Sequence, residues 1–185
     1  MKTKKMMHLA MLTALTILMG IIPNIGIIQI GVVSLTVLHI PVIIAASLYG
    51  IQGGSFVGLI FGLTSWYVAS TRAITPMDLL FVNPLVSVFP RIIFGALTGL
   101  LFQLFINRDS HWWEETAIAI SGSLIHSILV LTALFVFGLN LFYSGSDILA
   151  GFGVYLTIIF TANILPEALF AGFVCFSITK ALKRN

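Results

Sequence analysis

Apolar residues run along this chain almost without a break, and the few polar clusters cut the run into lengths of helix. Between Lys5 and Arg72 no Asp, Glu, Lys or Arg occurs; His8 and His39 are the only titratable imidazoles there. A bilayer core of about 30 Å takes roughly 20 apolar residues per helix. On that scale the pattern predicts six spans, at residues 6–22, 37–49, 54–70, 86–106, 116–137 and 148–182. The first stops at Pro23-Asn24, the second at Gly50, and the third at Thr71-Arg72. Residues 25–36, rich in Ile, Val and Gly, connect the first two. Thr75-Pro76-Met77-Asp78 reads as a turn that caps a new helix. Asn107-Arg108-Asp109-Ser110-His111-Trp112-Trp113-Glu114-Glu115 is the clearest hydrophilic loop, and Ser144-Gly145-Ser146-Asp147 is the next break. The second span is too short to cross without tilt, and the sixth exceeds what a bilayer needs. Lys2, Lys4 and Lys5 resemble the basic start of a signal peptide, but Met19-Gly20-Ile21-Ile22-Pro23 offers no small-x-small cleavage site, so the first helix is expected to be retained. The expected fold is an all-α membrane protein, one domain over residues 1–185 with six transmembrane helices.

Composition sharpens this reading. The chain is 59% hydrophobic and 8% charged, with mean hydropathy +1.12, whereas a soluble domain carries about 25% charged residues. The lipid bilayer is therefore its solvent. A single cysteine, Cys175, excludes a disulfide framework and a cysteine-based zinc site. The sequence holds no Gly-rich phosphate loop ending in Lys-Ser/Thr, no G-x-S-x-G and no H-E-x-x-H. No catalytic residue, metal site or cofactor is expected. The basic residues form no patch interleaved with aromatics, so nucleic-acid binding is not expected either. They collect at span ends instead. With the N-terminus inside, Lys2, Lys4, Lys5, Arg108, Lys180, Lys183 and Arg184 fall on the cytoplasmic side and Arg72 alone outside. In a bacterial plasma membrane, the expected location, this asymmetry places both termini in the cytoplasm.

Two sets of residues stand out within the spans. The first is small: Gly54, Gly58 and Gly62 recur every four residues on the third span, Gly95 and Gly99 repeat the step on the fourth, and Ala10 and Ala14 on the first. Small residues let helices approach closely in lipid, where no hydrophobic force drives them together. The second set is ionisable. His39, Arg91, His126 and Glu167 lie inside spans, where such groups are expensive and face a cavity or a partner. Arg91 and Glu167 either pair with each other or line a polar pocket. Asn83, Asn163, Ser87, Thr64 and Ser65 accompany them, with Trp66 and Tyr67 to stack or cap. Pro84, Pro90 and Pro166 each remove a helix donor and free a carbonyl one turn earlier. These breaks coincide with the polar groups near Asn83–Arg91 and Asn163–Glu167, toward the outer half of the membrane.

The run Leu38-His39-Ile40-Pro41-Val42-Ile43-Ile44-Ala45-Ala46, then Tyr49-Gly50, Gly58-Leu59-Ile60-Phe61-Gly62-Leu63-Thr64-Ser65 and Asn83-Pro84-Leu85-Val86-Ser87-Val88-Phe89-Pro90-Arg91 resembles the substrate-binding S-components of energy-coupling-factor (ECF) vitamin transporters. It is most similar to the branch that contains the pantothenate-type proteins, over nearly the whole chain, with Pro166-Glu167-Ala168 in the last helix. The resemblance implies a non-enzymatic subunit that binds a water-soluble vitamin. It also implies a transmembrane coupling protein and two ATPase subunits on separate chains as partners. Ala10-x-x-x-Ala14 matches the family's docking motif for the coupling protein. The connection at residues 25–36 becomes the candidate gate, with Gly26 and Gly31 to allow movement and Gln29 as a polar contact. The implied substrate-binding residues are Gln29, His39, Trp66, Asn83, Arg91, His126, Asn163 and Glu167. Arg91 suits a carboxylate through two parallel hydrogen bonds, which fits pantothenate. The pantothenate-type proteins tend to carry Asn where this chain has His126, and an imidazole there suits a flat ring such as pyridoxine or hydroxymethylpyrimidine. A proton-coupled secondary transporter using Glu167 and His126 is a further alternative, although six spans without an internal repeat speak against it.

Overall fold

The computed structural model describes residues 2–23, 25–30, 33–73, 76–106, 110–142 and 164–183. Helix α1 (Lys2–Ile21) leads into a hairpin of strands β1 (Ile27–Ile30) and β2 (Val33–Thr36). Then follow α2 (His39–Arg72), the short α3 (Pro76–Leu80) and α4 (Pro84–Ser87), α5 (Phe89–Phe105), α6 (Trp112–Phe142) and α7 (Leu165–Lys183). Among the described residues four helices are long and apolar enough to cross a membrane, at Thr3–Ile21, His39–Arg72, Pro84–Phe105 and Trp112–Gly138, and Leu165–Ser177 is a shorter apolar helix. The fold is an all-α membrane bundle with one small hairpin attached. The expected breaks at Asn107–Asp109 and Ser144–Asp147, and residues 148–163 of the sixth expected span, lie outside the described residues.

The 34 residues of α2 hold two of the expected spans. Gly50 divides them with φ 61° and ψ −146°, a region that only glycine occupies without strain. The chain reverses there. At the start of α2, Leu38 lies against Gly20 of α1; near its end, the Thr64 methyl lies against the same glycine. In between, Tyr49 Oη meets His8 Nδ1 at 2.5 Å, and Lys5 Nζ donates to Gln52 Oε1 at 3.0 Å. The first half of α2 therefore runs antiparallel to α1 and the second half parallel to it. Arg72 closes the bundle's far end, donating from Nη2 to the Ile21 carbonyl at 2.6 Å, where α1 leaves acceptors unpaired.

Glycines set the closest packing. A methyl group on Gly54 would stand 2.1 Å from the Gly95 carbonyl oxygen, and one on Gly95 equally close to the Gly54 carbonyl oxygen. Gly58 faces the Arg91 carbonyl, Gly62 the Cα of Val88, and Gly99 the backbone of Gly50. The second half of α2 and α5 thus run antiparallel with their backbones in contact, as the four-residue glycine step predicts. This seam carries the fully buried Val57, Phe61 and Phe94 into one core with Leu38, which precedes α2, and Val42 and Ala45 from its first half.

The connection after α1 is a two-stranded antiparallel hairpin, pairing Ile27 with Thr36 and Ile30 with Val33. Its β-branched content explains the strand conformation. Val37 N donates to the Gly26 carbonyl at 2.8 Å, extending the ladder by one bonded pair beyond Ile27–Thr36.

Candidate functional site

The segment before α5 shows how a helix start can aim a cation inward. Asn83 caps α4: its Oδ1 accepts the Leu85 N–H at 3.0 Å, with Pro84 at the first helical position. That position tolerates proline because its N–H would be unpaired in any case. Pro84 thus begins a helix instead of breaking one, since α4 opens there. Pro90 acts differently. With no N–H to offer, it leaves the Val86 carbonyl, one turn back, without its helical donor. Arg91 Nη1 donates to that carbonyl. The guanidinium is fixed by this bond, 5.5 Å above the Phe61 ring and 4.9 Å from that of Phe81. It is 4% exposed, and its Nε has no partner among the described residues.

Beside it stands His126 of α6, also 4% exposed. Its ring lies 5.4 Å from that of Phe61 and 4.9 Å from that of Phe94, both tilted, and 5.8 Å from the nearly parallel ring of His39. Its Nδ1 is buried and unpartnered among the described residues. His39 is satisfied at both nitrogens. Nδ1 lies 2.8 Å from the Thr36 carbonyl, which can only accept, so Nδ1 donates; Nε2 is 3.4 Å from Ser123 Oγ. Glu167 of α7 closes the group, its Oε1 accepting the Thr36 N–H at 2.5 Å.

Five elements thus converge on one buried polar cluster: β2, both halves of α2, α5, α6 and α7. Among the described residues Arg91 and Glu167 form no direct bridge; Val86 and Thr36 are their hydrogen-bond partners. Of the sequence-expected site residues, His39, Arg91, His126 and Glu167 meet here. Trp66 does not. It is 39% exposed and donates from Nε1 to the Val82 carbonyl at 3.0 Å, anchoring the segment that precedes Asn83. Tyr67 is exposed as well. Thr64 and Ser87 are buried, but their hydroxyls bond the carbonyls of Ile60 and Asn83 one turn back. Gln29 pairs with Ser34 in the hairpin, while Asn163 lies outside the described residues. Phe61 and Phe94, which frame His126, were not singled out in the sequence. The signal available is that each precedes a seam glycine, Gly62 or Gly95.

Ala10 and Ala14 stand apart from this cluster. Both are exposed on α1, together with Met6, Met7 and Met11, while Leu12, Thr16 and Gly20 turn inward.

Comparison with known proteins decides the family. A family profile described as ECF transporter, substrate-specific component, matches residues 4–182. The chain belongs to that family. As an ECF substrate-specific component it is a multi-pass membrane transport protein, in agreement with its apolar helices. The Pantothenic acid transporter PanT of Lactococcus lactis subsp. cremoris (strain MG1363) is 29% identical over 163 residues, 80% of this chain and 78% of that protein. The Pantothenate transporter PanT of Leuconostoc mesenteroides subsp. mesenteroides is 30% identical over 128 residues, 66% of this chain and 62% of that protein. The chain therefore spans a little under two thirds of the second relative.

Proposed function

We propose that this substrate-specific component binds pantothenate in the buried cluster between α2, α5, α6 and α7. The observation that carries the reading is a pair of orphaned groups: Arg91 Nε and His126 Nδ1, both buried and both unpartnered among the described residues. Leaving such groups unmet costs free energy, and a ligand with an anionic end and a neutral polar end meets both. Pantothenate has a carboxylate for the guanidinium and hydroxyls for the imidazole. Two relatives named as pantothenate transporters support the choice. In this reading Arg91 and His126 touch the substrate, His39 backs the His126 ring, and Trp66 and Asn83 hold the segment that aims Arg91. The hairpin is the gate, with Gln29 as its polar contact, and Asn163 is assigned to the substrate-binding residues.

The same reading places the N-terminus and the C-terminus in the cytoplasm, by the basic residues at those ends. The cluster then opens toward the outside, at the end of the bundle away from Lys5 and Gly50. Uptake is driven by separate chains, a transmembrane coupling protein and two ATPases, and the exposed Ala10–Ala14 face of α1 is the docking surface for the first of these.

Isothermal titration of ligand-stripped protein in detergent tests the substrate. Saturable, tight binding of pantothenate is expected, with pyridoxine and hydroxymethylpyrimidine unable to compete. Aromatic rings around His126 favour a ring compound as the second reading. Tight binding of either ring compound without pantothenate binding would replace the first reading by that one.

A further inference from the structure

We infer that Glu167 is a positioning residue: its carboxylate clasps the hairpin shut over the cluster by holding the Thr36 N–H, and it does not touch the substrate. The inference deepens the reading above, since it assigns a separate task to one member of the same buried group.

The argument starts from the ladder. In an antiparallel pair, bonded and non-bonded residue pairs alternate. Val37 N bonds the Gly26 carbonyl, so the neighbouring pair, Ile27 with Thr36, is a non-bonded one. The N–H and C=O of Thr36 consequently point away from β1. An edge of this kind needs partners once it is buried. Two side chains from different helices supply them. Glu167 of α7 takes the N–H, and His39 of α2 takes the C=O through Nδ1. His39 is continuous with β2 in the chain, two residues beyond Val37, so its bond is local. The Glu167 bond joins positions 131 residues apart and ties the hairpin to α7.

This assignment also accounts for the charge arrangement. A carboxylate placed against the substrate would repel an anionic end that Arg91 attracts. Directed at a backbone N–H, it is instead a charge-assisted acceptor, stronger than a neutral one. The groups Arg91 Nε and His126 Nδ1, without partners among the described residues, remain for the ligand, while Glu167 is occupied in holding the hairpin.

Hydrogen exchange of the Thr36 amide in substrate-free protein reads the clasp directly, by NMR on a selectively labelled sample. Glu167→Ala is expected to speed exchange roughly 10- to 100-fold, the range of a hydrogen bond to a charged group. It should raise the substrate dissociation rate by about tenfold or more, with association faster or unchanged. Glu167→Gln keeps an acceptor oxygen at the same place but not the charge, and should fall between the parent and Glu167→Ala on both measures. Thr36→Pro removes the donor from the other side without touching the ladder, since proline is tolerated where the N–H points away from the partner strand. Its substrate dissociation should match that of Glu167→Ala, and the double variant should be no faster than either. Unchanged Thr36 exchange in Glu167→Ala overturns the inference, as does a Gln variant as impaired as the Ala variant. If Glu167→Ala fails to fold, the dissociation rate of Thr36→Pro decides: a parent-like rate overturns the clasp. The exchange arm contains no substrate, so failure of pantothenate to bind would leave it readable.

Discussion

His126 stacks on His39, their ring centroids 5.8 Å apart and their planes 11° from parallel. One imidazole is bonded to the backbone of Thr36 and the other has a nitrogen without a partner among the described residues. The pair therefore divides into a fixed ring and an available one. Replacing His126 by Phe keeps the ring among Phe61, Phe94 and His39 but deletes the polar nitrogens. It should weaken pantothenate binding by about 1 kcal/mol, roughly fivefold, with little loss of stability. His126→Asn retains a donor and an acceptor and should bind more tightly than the Phe variant. Titration calorimetry ranks the two, and equal affinity of His126→Phe and the parent would remove His126 from the substrate's contacts.

Arg91 is the stricter test of an anionic substrate. Its guanidinium uses Nη1 on the Val86 carbonyl that Pro90 frees, so the fork is held in one orientation, with Nε unmet among the described residues. Lysine keeps the charge but not the planar fork. Arg91→Lys is expected to cost about 1.5–3 kcal/mol of binding, or ~10- to 100-fold in Kd. The amide derivative of pantothenate, lacking the charge, should lose affinity for the parent and show little further loss in the variant. A variant that binds acid and amide as the parent does would place the carboxylate elsewhere.

Much of this arrangement is legible in the sequence, because burying a charge in lipid is costly enough to leave few alternatives. His39, Arg91, His126 and Glu167 are conspicuous against an apolar background, and the structure brings all of them together. The reversal at Gly50 is legible too, as a glycine between two apolar runs, with Gly53 and Gly54 three and four positions on. The hairpin is not. Val33-Ser34-Leu35-Thr36 alternates as a strand should, but Ile27-Ile28-Gln29-Ile30 does not, so periodicity gives no clear strand pair. The role of Thr36 is carried by its backbone, whose direction depends on ladder register, and no side-chain pattern encodes that. Trp66 next to Ser65 reads in the sequence as a pocket aromatic. One helical position turns it to the outside, where it secures Val82 instead.

The reversal at Gly50 should be intolerant of any side chain. Its φ of 61° with ψ −146° lies outside the regions open to L-residues, and a methyl group there would stand 1.9 Å from Gln103 Nε2. Gly50→Ala combines strain of order 1–3 kcal/mol with this clash. Trimming the neighbour in Gly50→Ala/Gln103→Ala relieves only the clash, because the backbone conformation is unchanged. Thermal melts in detergent should show the double variant still well below Gln103→Ala alone. Full recovery would mean that the turn accepts a left-handed alanine.

Docking and binding should separate at Ala10 and Ala14. Both are exposed on α1, on the side away from Leu12, Thr16 and Gly20, which pack inward. Neither is near the Arg91–His126 cluster, which α2, α5 and α6 surround. Enlarging both to leucine adds apolar surface to a face already rich in methionine, so lipid accommodates it and folding is not taxed. What it removes is close backbone approach by a partner helix, the property that small-xxx-small steps provide. The Ala10→Leu/Ala14→Leu variant should bind pantothenate with the parent's affinity and melt at the parent's temperature. In cells or proteoliposomes that also contain the coupling protein and ATPases, its uptake should fall at least tenfold, and its co-purification with them should be lost. Parent-like uptake by the double variant would show that α1 does not meet its partner through the Ala10–Ala14 face.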